Sequence, residues 1–190
     1  MASVVDICNR ALSKLGAKRI TSLDDDSVNS RACNACYEHL RDAELRLHPW
    51  NFAIKRAELA ADSDAPEWGR TNAFTLPADF LRLIDDYPED NTLDRDYQIE
   101  GRKILTDWSD PLYIRYIYKV TDPVEMDSLF REALATKMAI EMCEQLTQSN
   151  TKKADLKMDY ADAIKAAKKA NAIENVAAEP PTDTWITVRA

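Results

Sequence analysis

The stretch His48-Pro49-Trp50-Asn51-Phe52-Ala53-Ile54-Lys55 is where the hydrophobic rhythm of this chain changes, and the fold is read outward from that change. Upstream, apolar residues recur at helical spacing. From Trp50 onward, Trp50, Phe52 and Ile54 alternate with Asn51, Ala53 and Lys55, the period-two signature of a half-buried strand. Proline disfavours the helical conformation in the residue before it, so His48-Pro49 ends a helix.

On the N-terminal side that helix begins at Ser27, a capping residue, and its expected stripe is Val28, Ala32, Cys36, Leu40, Ala43 and Leu47. Before it lies a polar turn through Asp24, Asp25 and Asp26. A first helix precedes the turn: Ser3 and Asp6 form a capping box, Val4, Ile7, Cys8, Ala11, Leu12 and Leu15 recur helically, and Gly16 supplies the stop.

On the C-terminal side the chain reads as short strands. Asp62 to Gly69 is a loop by composition. Phe74 and Leu76 lead into a Pro77-Ala78-Asp79 turn, and Phe80 to Ile84 is a short apolar run that suits a strand or a single helical turn, with strand favoured. Tyr97-Gln98-Ile99 and Lys103-Ile104-Leu105 flank Glu100-Gly101-Arg102, a hairpin signal. Leu112, Ile114, Tyr116 and Tyr118 alternate most cleanly. Helical spacing then returns. Asp127 caps a third helix with Phe130, Leu134, Met138, Glu141 and Met142 along one side and Leu129, Ala133, Lys137 and Ile140 beside them. After Ser149-Asn150 a fourth helix carries Leu156, Tyr160, Ala163, Ile164 and Ala167.

Neither helix pair alone has enough apolar surface for a comfortable domain, so the pairs from opposite ends of the chain are expected to pack together. The predicted class is α+β, mainly α. A four-helix bundle from residues 1–49 and 123–173 holds a small antiparallel β module, 50–122, and an extended tail follows at 174–190. Trp50, Phe52, Leu76, Pro77 and Phe80 are the expected structural core. The tail breaks the helical pattern at Glu179-Pro180-Pro181. Its Thr182, Asp183, Thr184, Trp185, Ile186, Thr187, Val188 and Arg189 are β-prone with no neighbour in sequence to pair with, which suits adding a strand to another subunit's sheet.

The totals exclude several classes. With 190 residues and 45% apolar composition the chain can bury a substantial core without disulfides, and three glycines against eight prolines leave little flexible linker. The start lacks a basic region followed by an apolar run, and no stretch is long and apolar enough to span a bilayer, so a cytoplasmic site of synthesis and no membrane partner are expected. The net charge of −8 repels a nucleic-acid backbone.

Motifs that suggest chemistry have plainer readings. Cys33-x-x-Cys36 has the spacing for zinc or thiol work, but it lies inside a helix without a second pair; core packing explains it better, and His39 and His48 are poorly placed to join it. Asp24 to Asp26 lacks the ligand pattern of a calcium loop. Asp85-Asp86 and Glu89-Asp90 read as solvated loop charge, without the apolar flank that raises a catalytic carboxyl's pKa. No nucleophile elbow or glycine-rich phosphate loop is present, so neither catalysis nor a cofactor is expected. Lys152, Lys153, Lys165, Lys168 and Lys169 form a basic stretch, a solvated face or an electrostatic contact with an acidic subunit or nucleic acid.

Three segments together carry a likeness to a known family: Ile7-Cys8-Asn9-Arg10-Ala11-Leu12-Ser13-Lys14-Leu15-Gly16; His48-Pro49-Trp50-Asn51-Phe52-Ala53 with Arg56-Ala57-Glu58-Leu59; and Phe74-Thr75-Leu76-Pro77-Ala78-Asp79-Phe80-Leu81-Arg82-Leu83. In this order the chain resembles the tail tubular protein A family, the head-to-tail adaptors of tailed bacteriophages. The resemblance implies a non-catalytic virion protein, assembled in the host cytoplasm as a ring of twelve copies beneath the portal. The helices would lie against the portal protein and the β module towards a tail nozzle or other tail protein, with double-stranded DNA passing through the channel. It also implies that the segment Thr182 to Arg189 docks on the portal, and that repeated negative charge, from Asp24 to Asp26 or Asp85 to Asp94, lines the channel so that DNA slides. Two alternatives stand beside it: a DNA-binding packaging accessory using the lysines of the fourth helix, and a metal- or thiol-dependent enzyme using Cys33 and Cys36.

Overall fold

A computed structural model describes residues 2–64, 66–84 and 97–174. In chain order the elements are α1 (Val4–Leu15), α2 (Val28–Leu47), a 3-10 turn (Asn51–Ala53), β1 (Ile54–Leu59), β2 (Asn72–Thr75), β3 (Phe80–Leu83), β4 (Tyr97–Glu100), β5 (Lys103–Thr106), β6 (Leu112–Tyr118), α3 (Ser128–Thr147) and α4 (Asn150–Ile173). The class is α+β: helices from both ends of the chain pack together, and two small antiparallel sheets of three strands each lie between them in sequence.

The helix ends form for local reasons. At α1 the Ser3 hydroxyl accepts from the Asp6 backbone N–H at 3.1 Å while the Asp6 carboxylate accepts from the Ser3 N–H at 3.0 Å. Gly16, at φ 71°, closes α1 in the left-handed conformation. Ser27 caps α2 and Asp127 caps α3, its carboxylate accepting from the N–H groups of Leu129 and Phe130. His48 is extended at φ −141° and ψ 144°, as a residue before proline must be when it leaves a helix.

The arrangement is centred on α3, which packs against α1, α2 and α4 in turn. Phe130, Leu134, Met138 and Met142, with Ala133 beside them, are buried as expected, but so are Ala135, Thr136, Ala139 and Cys143. Small residues on its remaining sides admit close neighbours all round. Glu141, placed by spacing on the side of Phe130, and Leu129, placed beside it, are exposed.

For α2 the expected stripe is corrected at both ends. Val28 is 52% and Leu47 63% exposed, and Ala43 is also outside. At about 100° per residue Val28 lies well round from Leu40 and its buried neighbours, whereas Leu47 shares their bearing and is exposed at the last residue of the helix. The face that is buried carries Cys33, Cys36, Tyr37, Leu40, Arg41, Glu44 and Leu45.

The strand predicted from Trp50 is likewise corrected. Residues Asn51–Ala53 form a 3-10 turn and pairing begins only at Ile54. The Asn51 N–H is taken by the Asn171 side chain at 2.8 Å and the Ala53 N–H by the Trp50 carbonyl at 2.9 Å, so neither serves a sheet. The turn places Trp50 and Phe52 in one aromatic cluster rather than in simple alternation.

The first sheet has the order β1-β6-β3, with Ile54 opposite Ile117 and Leu59 opposite Leu112. The second has the order β2-β5-β4, and Glu100 opposite Lys103 leaves Gly101-Arg102 as a tight two-residue turn, one residue shorter than the connection expected. Alternation along β6 splits its side chains between two cores. Ile117 faces the helical core with Ile84, Val120 and Met126, while Leu112, Ile114 and Tyr116 join Phe74, Leu76 and Ile104 between the sheets. Of the expected core residues, Trp50 and Leu76 are buried, whereas Phe52, Pro77 and Phe80 are half-buried.

Candidate functional site

The corner where α2 turns into β1 brings together residues from four elements. The Trp50 indole is 1% exposed and donates from Nε1 to the Glu44 carbonyl at 3.1 Å. Its ring meets Phe130 edge-on with centroids 5.1 Å apart, His48 edge-on at 4.7 Å, and Phe52 in a stack at 6.1 Å. Beside these rings Asn171, buried on α4, acts as a polar hub. Its Oδ1 accepts from the Asn51 N–H, its Nδ2 approaches the Pro49 carbonyl and His48 Nε2 at 3.2 Å each, and its own carbonyl accepts from Asn51 Nδ2 at 3.0 Å. Burial, followed by the cations of Lys168 and Arg82, holds His48 below its ordinary pKa. A neutral ring is what the Asn171 amide needs, because its NH₂ can only donate. A cleft of about 220 Å³ opens here, bounded by Trp50, Phe52, Glu125, Asp127, Asn171 and Glu174.

A second polar knot sits on the first sheet. Asp79, at the end of the Leu76-Pro77-Ala78-Asp79 turn, accepts from Lys55 Nζ and from the Tyr116 hydroxyl, each at 3.0 Å, and its carbonyl accepts from the Lys119 N–H at 2.7 Å. Burial works against the Asp79 charge, but the hydrogen bonds from Lys55 and Tyr116 more than offset it and hold its pKa low. Lys55 also lies 3.7 Å over the Tyr118 ring, whose hydroxyl donates to Glu125 at 2.9 Å. Burial and Glu125 push that phenol up to about 12.

Buried charge marks the helical interface. Glu44, 2% exposed, accepts from the Tyr160 hydroxyl at 2.7 Å and lies 3.8 Å from Lys137 Nζ, joining α2, α3 and α4. Spacing alone could have flagged it: Glu44 follows Leu40 by one turn, as Asn171 follows Ala167. Both are polar, so a stripe of apolar residues omits them.

The four cysteines are free thiols, all buried, and Cys33 Sγ sits 3.7 Å from Met142 Sδ. Burial and the neighbouring Cys33 push the Cys36 thiol up to about 12, away from the thiolate a nucleophile or metal ligand needs, whereas a hydrogen bond with the Cys8 thiol draws Cys33 down. His39 is exposed and His48 is engaged at the corner. Among the described residues no group of three His, Cys, Asp or Glu side chains could hold a metal ion. In the Asp24 to Asp26 loop, hydrogen bonds from the Ser22 and Thr21 N–H groups and the Thr21 hydroxyl hold the Asp25 pKa down, and Asp26 pairs with Arg31. Of the basic stretch, Lys152 donates to the Leu15 carbonyl at 2.7 Å and Lys153 pairs with Glu144 at 2.9 Å, while Lys165, Lys168 and Lys169 are exposed. None of the described helices is long and apolar enough to cross a membrane.

The segment Thr182 to Arg189 and the acidic run Asp85 to Asp94 lie outside the described residues. Comparison with models of known protein families and with curated proteins returned no match to this chain.

Proposed function

We propose that this chain is a structural head-to-tail adaptor of a tailed bacteriophage, one that joins a portal protein to the tail as a ring of copies around the DNA exit channel. The observation that carries the reading is where the family-like residues fall. His48-Pro49-Trp50-Asn51-Phe52 is the corner that fastens β1 to the helices, and Leu76-Pro77-Ala78-Asp79 is the turn whose aspartate ties β1 to β6. Likeness at joints, rather than at solvent-facing chemistry, fits a protein whose work is to hold a shape. The burial of all four thiols and the raised pKa of Cys36 fit the same reading. Two of the five lysines behind the DNA-binding alternative are engaged within the chain, which weakens it.

The tail supplies the test. Deleting residues 182–190 should leave the circular dichroism spectrum and melting temperature unchanged yet abolish capture by the portal protein encoded with it, whereas the full chain should be captured as a multimer. Undiminished capture of the truncated chain would remove the tail from the docking role. Failure of the full chain to bind the portal would reject the adaptor reading.

A further inference from the structure

The second sheet has an open edge. Its order β2-β5-β4 leaves one side of β4 without a strand among the described residues. Glu100 and Lys103 flank the two-residue turn as a hydrogen-bonded pair, so by alternation the N–H and C=O of Ile99 point away from β5. No described residue takes them, and the Ile99 side chain is 45% exposed. An edge that presents unpaired backbone groups together with apolar surface is a template for a further strand. Beside it, on the face opposite Phe74 and Ile104, lies a groove of about 440 Å³ bounded by Trp68, Ala73, Gln98, Glu100 and Leu105 among others. Trp68 at its rim is 86% exposed. The cations of the groove are engaged, Lys103 with Asp62 at 2.8 Å and Arg70 with Asp107 at 2.9 Å, and Arg102 of the adjoining turn donates to the Pro77 carbonyl. Asp64, Glu67 and Glu100, by contrast, have no ion-pair partner among the described residues. The groove therefore suits an occupant that is apolar and cationic at once.

Residues 184–189 match the edge and the groove together. In a strand Thr184, Ile186 and Val188 fall on one side and Trp185, Thr187 and Arg189 on the other, and Arg189 is the sole cation of residues 175–190. We infer that residues 184–189 of one copy add a strand to the open edge of β4 in the next copy, with Ile186 and Val188 beside Ile99 and with Trp185 and Arg189 over the groove against Trp68 and Glu100. Pro180-Pro181 favours an extended, semi-rigid connection, which carries the strand outward rather than back to its own sheet. Because the donated strand and the receiving edge are different surfaces, the contact does not close on two copies. It repeats in one direction and closes as a ring of like-oriented copies. The inference rests on the ring in the adaptor reading. It puts the tail between copies, so loss of portal capture by the truncated chain would follow from loss of the ring, whose repeated contacts multiply the affinity of a single copy. A measurement without portal tests the seat itself.

That measurement is sedimentation velocity on the full chain, with circular dichroism to show that each variant is folded. The wild type should associate as its concentration rises. Ile99→Pro, which removes an N–H that serves no bond within the sheet, should abolish association. Glu100→Lys and Arg189→Glu should each need at least fivefold more protein than the wild type. An equal mixture of those two variants should recover association, because each tail then meets an edge of opposite charge on the other variant. A wild type monomeric at every concentration, a folded Ile99→Pro that associates undiminished, or a mixture no better than its parts would each overturn the inference. A tail seated on its own sheet gives the first and the third of these results. A chain that stays monomeric here yet captures the portal loses this seat and keeps the adaptor reading.

Discussion

Trp50 is surrounded by His48, Phe52 and Phe130 and anchored through Nε1 to Glu44, so truncation removes both ring packing and a satisfied buried donor. Trp50→Ala should lower stability by about 3–5 kcal/mol, measured by urea titration. A midpoint that does not move would place the indole outside the core. His48 makes the same corner sensitive to pH. Its folded pKa is lowered by burial and by Lys168 and Arg82, so the unfolded chain binds more protons across the interval below 6.5. Its contribution is thus complete above that value and is lost as pH falls through it towards the folded pKa. The melting temperature should drop between pH 7 and pH 5, and His48→Gln, which keeps an acceptor for Asn171 without titrating, should flatten that slope. An equal slope in the variant would assign the effect elsewhere. The ordinary residue-level signals, a proline, a tryptophan and a run of alternation, located this corner in the sequence. They did not show that Asn171, 120 residues away in the chain from Asn51, completes it.

At the scale of elements, caps were legible because capping is local: Ser3 with Asp6, Ser27, Asp127 and Gly16 each satisfy groups within a few residues. The end of α1 shows how far that goes. The Gly16 N–H reaches the Leu12 and Ser13 carbonyls, and Ala17 returns to Leu12 at 2.9 Å. Gly16→Ala should cost about 1 kcal/mol, since a Cβ is strained at this positive φ. Gly16→Asn should cost less, because asparagine tolerates the left-handed region. Equal stability of all three in thermal melts would show that the end of α1 can relax. Lys152, however, crosses from α4 to cap the Leu15 carbonyl at 2.7 Å, a contact no local rule announces. Periodicity is a weaker guide to the faces of α2 and α3. It gives a residue's bearing but not whether a neighbour covers that turn, as exposed Leu47 shows, and the small residues of α3 look neutral until three neighbours are seen to need them.

Across the whole molecule the first sheet is the shared wall: its β6 strand sends Ile117 into the helical core and Leu112, Ile114 and Tyr116 into the core between the sheets. The β segment is thus bound to the helices through side chains as well as through its two connections. Polar ties reinforce the union, with Glu44 joining α2, α3 and α4 and Asp79 joining the turn before β3 to β1 and β6. The sequence by itself determined the α+β class, the number of helices, their caps and the pairing-competent strands, because each depends on periodicity or on contacts within a few residues. Only the tertiary structure decided that α3 is the central helix, that Trp50 to Ala53 turns instead of pairing, and that polar Asn171, Glu44 and Asp79 are the fasteners. These depend on partners distant in the chain, and a buried polar side chain is stable only where such partners converge on it.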